Sequence, residues 1–370
     1  MKISVLGSTG VIGTLTLEIA EKYSVEVVGL AAGRNLSKLS EQIQRFGPKY
    51  VGVERREDAE KLGKDVLWGR DGLNRLATLE EADLVVIAVA GVAGIEPTYM
   101  AALAGKRIAL ANKESLVSGG KVIGEAARRS GAFILPVDSE HNSLFQLLLF
   151  PEKPQELILT ASGGPFFRGK PAVIKIQDVL SHPTWKMGKK ITVDSATLMN
   201  KAFEMVEARW LFGLSPEKIK VLIHPQSVVH ALVRMKDGTL FAHLGPADMR
   251  IPIQYALFYP ERKPPPSQPL DLASLQGLEF YEAPPEKYPA IELGYRMIQE
   301  PCSLAAVING ANDFVVESFL QGKIPFERIL DVIIEVSKVH RPYPLSGMEE
   351  VLEAVREGRE RAKKIIEGEG

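Results

Sequence analysis

After Met1 the chain reads Lys2-Ile-Ser-Val-Leu6, then Gly7-Ser-Thr-Gly-Val-Ile-Gly13, then Leu15-Thr-Leu-Glu-Ile-Ala-Glu-Lys22. The first segment alternates and is β-branched, and the last has helical periodicity, so the stretch predicts a strand, a glycine turn and a helix. A turn of this kind lets a pyrophosphate approach the backbone and the N-terminal amides of the helix. The spacing is a GxxGxxG variant, and a tight connection that binds no ligand is the alternative.

The residues after the second predicted strand, at 25–30, bear on the choice of cofactor. In sheets of this type an acidic residue about 20 positions past the glycines binds the ribose 2′-hydroxyl of NAD. Here the nearest candidates are Gly33, Arg34 and Asn35. A cation without a carboxylate favours a 2′-phosphate, so the sequence predicts NADP(H) rather than NAD(H).

Further apolar strands alternate with helices up to about residue 140. A helix is predicted near 36–46, and strands at 49–53, 82–90, 105–112 and 133–137. Continuous apolar strands between helices predict a parallel sheet that is covered on both faces. We therefore predict a Rossmann-like NADPH-binding domain at residues 1–140.

Two polar clusters, at 112–114 and 138–140, follow strands of this predicted sheet, and ligands of open α/β sheets bind at that edge. If the chain is extended there, Asp138 and Glu140 share a face with backbones about 7 Å apart, a reasonable span for one cation. Alternatively, Asp138 and Ser139 cap a helix predicted at 142–149. The local sequence does not decide between helix capping and metal binding for Asp138. For Lys113 and the glutamate that follows it, the alternative is a solvated ion pair at a helix start.

The middle of the chain offers a second group of candidates. A strand at 157–161 leads into Ser162-Gly-Gly, which can present backbone amides to an anion or be a plain turn. Residues 181–190 lack periodicity and predict a surface loop able to close over a site, where Trp185 covers the ligand or packs on a neighbouring subunit. Among the nearby histidines, His182 and His230 are the better candidates for contacting substrate.

The richest stretch is 193–210, where Asp194 or Ser195 is expected to cap a helix. Asn200 and Glu204, four residues apart, share one face of that helix, with Lys201 beside them. A polar face that is merely solvated is the alternative.

The remaining segments complete the predicted organisation. Strands at 219–224, 228–235 and 240–244 form an antiparallel block, which marks an α+β central catalytic domain at 141–259 with the lid loop at 181–190. The proline-rich segment 260–286 predicts a linker. Helical patterns beyond it predict a C-terminal helical bundle at 287–370 that braces the cleft.

Composition excludes several classes of partner. The 370 residues suit two or three domains, and 45 Lys and Arg balance 46 Asp and Glu without a long basic block. Neither nucleic acid nor an anionic membrane is therefore an expected partner. No apolar run approaches the ~20 residues of a membrane span, and no signal or transit segment precedes the first strand. The single cysteine, Cys302, excludes an internal disulfide and fits a reducing compartment, so we expect a cytoplasmic protein.

Taken together, six motifs resemble the 1-deoxy-D-xylulose 5-phosphate reductoisomerase family in identity and order over essentially the whole chain. They are Gly7-Ser-Thr-Gly-Val-Ile-Gly13, Ala111-Asn-Lys-Glu-Ser115, Val137-Asp-Ser-Glu-His-Asn142, Ala161-Ser-Gly-Gly-Pro-Phe166, Asp194-Ser-Ala-Thr-Leu-Met-Asn-Lys201 and His224-Pro-Gln-Ser-Val-Val-His230. The resemblance implies an enzyme of non-mevalonate isoprenoid biosynthesis. It would use NADPH to rearrange 1-deoxy-D-xylulose 5-phosphate and reduce the product to 2-C-methyl-D-erythritol 4-phosphate. It also implies a homodimer.

The resemblance also implies roles for individual residues. Asp138, Glu140 and Glu204 would hold Mg²⁺ or Mn²⁺, and the same three residues with Lys113 would be catalytic. The substrate-contacting set is Lys113, Ser139, Glu140, Ser162, His182, Trp185, Ser195, Asn200, Lys201, Glu204 and His230, with Ser162, Ser195, Asn200 and Lys201 on the phosphate side. The NADPH-contacting set is Gly7, Thr9, Gly10, Val11, Ile12, Gly33, Arg34, Asn35, Asn112, Glu114 and Gly188. His141 is expected to support this set rather than to bind the metal.

Two departures from the family pattern are visible. Val11 replaces a serine common in the glycine turn, and Ala202-Phe203 replaces Gly-Leu, but neither affects an implied metal ligand.

One alternative function is an NADP-dependent dehydrogenase that reduces another sugar phosphate without rearrangement, which has no need of three carboxylates. The other is an NADP-sensing binding protein that binds without turnover.

Overall fold

The computed structural model describes residues 1–63, 65–150, 152–169, 171–185 and 187–368. Its packing divides the chain into two units. The first unit comprises Met1–Ser115, Val122–Asn142 and Met249–Gln268, and the second comprises Leu116–Lys121, Ser143–Asp248 and Pro269–Gly370. The four-part division expected from the sequence stays a prediction.

The first unit is built on a parallel sheet of seven strands. They are β1 (Lys2–Leu6), β2 (Glu26–Ala32), β3 (Tyr50–Val53), β4 (Leu67–Trp68), β5 (Leu84–Ile87), β6 (Arg107–Leu110) and β7 (Phe133–Pro136). The strand order β4-β3-β2-β1-β5-β6-β7 reverses direction at β1, so the crevice beyond the carboxyl ends of β1 and β5 is the expected ligand site. Strand β5 is buried throughout and β6 is buried after Arg107, as a sheet covered on both faces requires.

Helices connect these strands. They are α1 (Val11–Lys22), α2 (Leu36–Phe46), α3 (Arg56–Leu62), α4 (Gly69–Ala77), α5 (Ile95–Leu103), α6 (Lys113–Ser130) and α7 (Ser139–Leu147). The turn between β1 and α1 needs glycine because Gly7 has φ of +87° and a Cβ there would lie 2.4 Å from the Ala88 carbonyl oxygen. A Cβ at Gly13 would lie 2.3 Å from the Gly7 carbonyl oxygen, so helix and strand meet at backbone distance.

The second unit contains a mixed sheet rather than the purely antiparallel block expected from the sequence. Its strands are β8 (Glu156–Ala161), β9 (Ile219–Ile223), β10 (Val229–Arg234), β11 (Leu240–Leu244) and β12 (Tyr281–Glu282), in the order β11-β10-β8-β9-β12. β8 and β9 pair in parallel, and the other pairs are antiparallel. The parallel pair was missed because the long crossover between these two strands leaves no local signal of direction.

The remaining helices are α8 (Ile176–Leu180), α9 (Lys189–Thr197), α10 (Met199–Phe212), α11 (Arg250–Phe258), α12 (Pro289–Gln299), α13 (Ser303–Leu320), α14 (Arg328–Val339) and α15 (Met348–Glu367). Of these, α11 packs in the first unit, where the proline-rich segment after it is also held. The Tyr23 hydroxyl and the Gln254 amide donate to the Pro264 carbonyl oxygen at 3.3 and 2.9 Å. Among the described residues, no helix has the length and apolar character needed to span a bilayer.

Helices α13 and α15 of the C-terminal bundle touch through glycines. A Cβ at Gly310 would lie 1.9 Å from the Val355 carbonyl oxygen, and a Cβ at Gly358 would lie 1.9 Å from the Val307 carbonyl oxygen. The two backbones are therefore in direct contact at both positions.

We expect Gly310→Ala to lower the free energy of unfolding by about 3 kcal/mol, because the added methyl group must push two backbones apart. Urea unfolding followed by circular dichroism measures this change. The matched control is Gly124→Ala in α6, where no atom lies within 4 Å of the added Cβ. That helical substitution should raise stability by about 0.5–1 kcal/mol, and equal effects at the two positions would contradict the contact argument.

Candidate active site

The turn after β1 places the N-terminus of α1 at the carboxyl edge of the first sheet. Gly7 and Ser8 donate their N–H groups back to the Ala31 carbonyl oxygen, at 2.9 Å each, which fixes the turn. The first helical residue is Val11, and no side chain caps α1 within the described part of the chain. Several N-terminal amides of a 12-residue helix therefore face outward, where the positive end of its dipole favours an anion.

Arg34, two residues after β2, has a carboxylate partner that its neighbours in the sequence did not indicate. Its guanidinium forms an ion pair with Glu54, with Nε 3.2 Å from Oε2, while Asn35 caps α2 by accepting from the Lys38 amide at 3.2 Å. The Arg34 side chain is 72% exposed, and exposed ion pairs contribute about 0–1 kcal/mol. Arg34 can therefore exchange Glu54 for a phosphate at little cost.

Asn112 holds the loops at the carboxyl ends of β5 and β6 together. Its amide nitrogen donates to the carbonyl oxygens of Val89 and Gly91, at 2.8 Å each, and its oxygen accepts from the Ser115 amide at 2.9 Å. The side chain is buried and also donates to Glu114 at 3.2 Å. Asn112 therefore shapes this edge of the sheet.

Asp138 lies at the centre of a charged group on the same edge. One carboxylate oxygen is 2.8 Å from the Lys113 ammonium, and the other is 3.0 Å from Nδ1 of His141. An ionised carboxylate only accepts hydrogen bonds, so Nδ1 of His141 carries the proton in this contact. His141 is fully buried, and its expected supporting role stays a prediction.

The backbone at Asp138 differs from the extended geometry expected for 138–140. Strand β7 ends at Pro136 and α7 begins at Ser139, three residues earlier than the helix predicted at 142–149. Asp138 accepts from the Glu140 amide at 3.2 Å, so it caps the helix while it faces Lys113. Capping and ligand binding are thus compatible, and the argument from alternate residues of a strand was wrong because Glu140 is helical. The Ser139 hydroxyl donates to the Glu140 carboxylate at 2.5 Å.

In the second unit, the turn after β8 holds Ser162 between two donors. The Gly164 amide lies 3.2 Å from the Ser162 hydroxyl oxygen, and Nε2 of His182 lies 3.0 Å from it. Nδ1 of His182 accepts from the backbone amide of Trp185 at 3.0 Å, so Nε2 carries the proton and donates to Ser162. The Ser162 oxygen therefore accepts twice, which leaves its own hydrogen for donation.

Burial lowers the pKa of His182 below its ordinary value of 6.5, because a desolvated imidazolium is disfavoured. The ring is therefore neutral at pH 7. It orients the Ser162 hydroxyl and adds no positive charge to this group.

The helix expected after a cap at Asp194 or Ser195 is in fact two helices. Asp194 and Ser195 lie inside α9, which ends at Thr197, and Leu198 adopts φ of +63° before α10 begins at Met199. Asp194 is buried and forms an ion pair with Lys190 at 2.9 Å instead of capping a helix. The prediction failed because the break is made by a left-handed leucine, a conformation that leucine rarely adopts.

Glu204 is buried on α10 between two donors. Its side chain is 1% exposed, Asn200 donates to Oε1 at 2.6 Å, and the Lys201 ammonium forms an ion pair with Oε2. Lys201 is itself 3% exposed, which rules out a merely solvated polar face. These two donors fix the position of the Glu204 carboxylate.

The other predicted residues of the second unit lie on α9, on β10 and in the loop before α9. Ser195 is in the last turn of α9, and Gly188 precedes its first turn. The Trp185 and His230 rings are 6.0 Å apart between centroids, so the predicted loop contacts β10. Of the predicted lid 181–190, Lys186 lies outside the described residues.

The structure thus forms two groups from the predicted residues, one in each unit. The first contains the glycine turn, Asn112 to Glu114 and Asp138 to Glu140, and the second contains Ser162, His182, Trp185, Ser195, Asn200, Lys201, Glu204 and His230. Sequence reasoning missed Glu54, although its position directly after the predicted strand 49–53 was an available signal. Both groups combine carboxylates with ammonium groups, and oxygen ligands of this kind suit a hard divalent cation.

Comparison with known proteins gives consistent matches along the chain. Three family models match: 1-deoxy-D-xylulose 5-phosphate reductoisomerase at residues 3–120, its C-terminal domain at 134–212, and the DXP reductoisomerase C-terminal domain at 244–361. The curated 1-deoxy-D-xylulose 5-phosphate reductoisomerase of Geotalea uraniireducens is 45% identical over 99% of this chain and 98% of its own length. The protein of the same name from Pelotomaculum thermopropionicum is 45% identical over 98% of each chain.

Solved structures give the same result. A DOX-P reductoisomerase in complex with NADPH, fosmidomycin and magnesium superposes with a TM-score of 0.93 at 34% identity, over 99% of this chain and 98% of the other. The 1-deoxy-D-xylulose 5-phosphate reductoisomerase of Zymomonas mobilis in complex with NADPH gives a TM-score of 0.88 at 35% identity, over 99% of each chain.

Proposed function

The chain belongs to the 1-deoxy-D-xylulose 5-phosphate reductoisomerase family, and on that premise we propose which of its residues perform the reaction. It is an NADPH- and divalent-metal-dependent enzyme that rearranges 1-deoxy-D-xylulose 5-phosphate and reduces the product to 2-C-methyl-D-erythritol 4-phosphate. The observation that carries this function is similarity over nearly the full length of relatives with that name. A dehydrogenase without rearrangement is not favoured.

NADPH is proposed to bind at the carboxyl edge of the first sheet. The outward amides of α1 would receive its pyrophosphate, lined by Gly7 and by Thr9 to Ile12. Gly33 to Asn35 would contact the 2′-phosphate, with Arg34 released from its exposed ion pair with Glu54. Asn112, Glu114 and Gly188 complete the proposed set.

Asp138, Glu140 and Glu204 are proposed to hold the divalent cation. The donor set fits Mg²⁺, with which a DOX-P reductoisomerase of similar structure was solved, and it equally suits Mn²⁺ because both prefer oxygen ligands. When bound, the cation supplies Lewis acidity that fixes and polarises neighbouring substrate oxygens. Lys113, held at 2.8 Å from Asp138, would stabilise negative charge that develops on the same oxygens.

The substrate phosphate is proposed to bind to Ser162, Ser195, Asn200 and Lys201. The contacts of Ser162 support this role, because both of its acceptor positions are filled and its hydrogen is left for an anion. Neutral His182 keeps that hydroxyl in place. Ser139 and His230 would contact the remainder of the substrate, and Trp185 on the loop would exclude water before hydride transfer.

The direct test is the loss of NADPH absorbance when 1-deoxy-D-xylulose 5-phosphate is added, with Mg²⁺, with a chelator, and with Mg²⁺ restored. We expect oxidation only when Mg²⁺ is present, and a branched carbon skeleton in the product by NMR. Chelator-resistant oxidation, or an unbranched product, would favour the simple dehydrogenase. Binding of NADPH without turnover would favour the binding protein.

A homodimer and a cytoplasmic location are further parts of the proposal. Support for the dimer comes from β11, the edge strand of the second sheet, which exposes Leu240, Phe241 and Leu244. Phe150, half exposed, stacks on Phe241 with ring centroids 5.3 Å apart and extends this apolar surface. An exposed apolar edge strand is a template for pairing, and a second copy of the chain would cover it.

We expect Phe241→Glu to shift the protein from dimer to monomer, because two charges would be buried at the paired edge. Sedimentation velocity over a range of protein concentrations measures this shift. A wild-type protein that sediments as a monomer at all concentrations would contradict the dimer proposal.

A further inference from the structure

Two asparagines are buried in the middle of α13 in the second unit. Asn309 and Asn312 are both 0% exposed and lie one turn apart among apolar residues. The Asn309 amide donates to the Ser118 hydroxyl at 2.8 Å, and the Asn312 amide donates to the Asp194 carboxylate at 2.9 Å. Burying an amide is unfavourable unless it is hydrogen-bonded, so each of these contacts decides how its side chain is oriented.

The contact of Asn312 is with a charged group that the proposed mechanism does not use. Asp194 is 3% exposed, and its second carboxylate oxygen accepts from the Lys190 ammonium at 2.9 Å. A carboxylate cannot donate, so the amino group of Asn312 must face it. The carbonyl oxygen of Asn312 has no hydrogen-bond partner among the described residues, so Asp194 alone fixes the amide.

The last turn of α9 connects Asp194 with the proposed phosphate-binding residues. Ser195 follows Asp194 directly, and a Cβ at Gly164 would lie 2.8 Å from the Ser195 carbonyl oxygen and 3.1 Å from Cα of Ala196. The turn that carries Ser162 therefore packs against this part of α9. Displacement of α9 would move Ser195 and press on that turn, because neither side has spare room.

We propose that Asn312 is a positioning residue for the substrate phosphate, acting through Asp194 to fix the last turn of α9. This inference rests on the proposed phosphate contacts of Ser162 and Ser195. The bond from a neutral amide to a buried carboxylate is charge-assisted, and bonds of this class are about twice as strong as neutral ones. Asn312 thereby links the C-terminal helices to the substrate site without contacting the substrate.

The chain offers a matched control for this inference. Asn309 lies on the same helix, is equally buried and makes one side-chain hydrogen bond, but its partner Ser118 is on α6 rather than α9. Asn312→Leu and Asn309→Leu should therefore destabilise the fold to a similar extent. If Asn312 is only structural, the two variants will also have similar kinetic constants.

The experiment measures kcat, the KM for 1-deoxy-D-xylulose 5-phosphate and the KM for NADPH in the full-length wild type and both variants, below their unfolding temperatures. We expect Asn312→Leu to raise the substrate KM about tenfold, since a small misplacement of binding groups weakens binding strongly. Its kcat should remain within about threefold of wild type, with an unchanged KM for NADPH. Asn309→Leu should leave all three constants near wild type. If a leucine variant does not fold, Asn312→Ala and Asn309→Ala remove the donor without added bulk.

A double-mutant cycle tests whether Asn312 acts through Asp194. In the Asp194→Asn background, which already disturbs α9, adding Asn312→Leu should raise the substrate KM less than about twofold further. An unchanged KM in Asn312→Leu, an equal rise in Asn309→Leu, or additive effects in the cycle would each overturn the inference. Failure of the proposed function is distinguishable, because the wild type itself would then not turn over the substrate in the same assay.

Discussion

Glu204→Gln is expected to lower kcat by about 10³-fold or more, with NADPH affinity nearly unchanged. The substitution keeps the shape of the side chain but removes the charge that the proposed cation needs as a ligand. It also removes the negative charge that forms the ion pair with the Lys201 ammonium, which is 3% exposed. Without that ion pair we expect the Lys201 ammonium to leave its present position, so phosphate binding should weaken as well.

Steady-state turnover at saturating Mg²⁺, together with NADPH binding by fluorescence titration, measures both parts of this prediction. The matched control is Glu207→Gln, because Glu207 lies one turn further along α10 and is also 1% exposed. We expect that control to stay within a few-fold of wild-type turnover. Near-normal turnover of Glu204→Gln at saturating Mg²⁺ would remove Glu204 from the site.

Asp138→Asn is expected to have the second large effect, a loss of about 10²–10³-fold in kcat with a raised requirement for Mg²⁺. The amide oxygen can still accept from the Glu140 backbone amide, so the cap of α7 should survive. What is lost is the negative charge that holds the Lys113 ammonium at 2.8 Å and that would bind the cation.

A titration of activity against Mg²⁺ concentration separates these contributions. In the wild type, chelator should abolish turnover and added Mg²⁺ should restore it. In Asp138→Asn we expect the half-saturating Mg²⁺ concentration to rise at least tenfold, with thermal stability close to wild type. A normal Mg²⁺ titration with low turnover would instead assign Asp138 to orienting Lys113 alone.

The edge of the first sheet, where Lys113 and Asp138 lie, could be predicted because the signals for its strands and helices are local. Strand β1 occupies Lys2–Leu6 and helix α2 occupies Leu36–Phe46, as the periodicity of each segment indicated. Apolar periodicity and glycine spacing act through near neighbours in the chain, so a single sequence contains them. The family resemblance is confirmed by the comparisons, and the roles that it implies for individual residues stay predictions.

The details that were missed depend on tertiary contacts or on rare backbone states. Helix α7 begins three residues before its predicted start, because Asp138 accepts from the Glu140 amide and caps the helix there. The break at Leu198 requires a positive φ that leucine rarely adopts, so propensity gave no warning. Asn312 is visible in the sequence as a polar residue in an apolar helix, but its partner lies 118 positions away.

The glycine contact between α13 and α15 has a consequence for mutational tolerance. Asn312 on α13 donates to Asp194. The backbone of α13 is in direct contact with α15 at Gly310 and Gly358. In a saturation mutagenesis screen for activity, these two glycines should therefore tolerate as few substitutions as Glu204 does. Repeating the screen at a lower temperature should separate the two kinds of position, because packing defects are relieved when stability increases and a missing ligand is not.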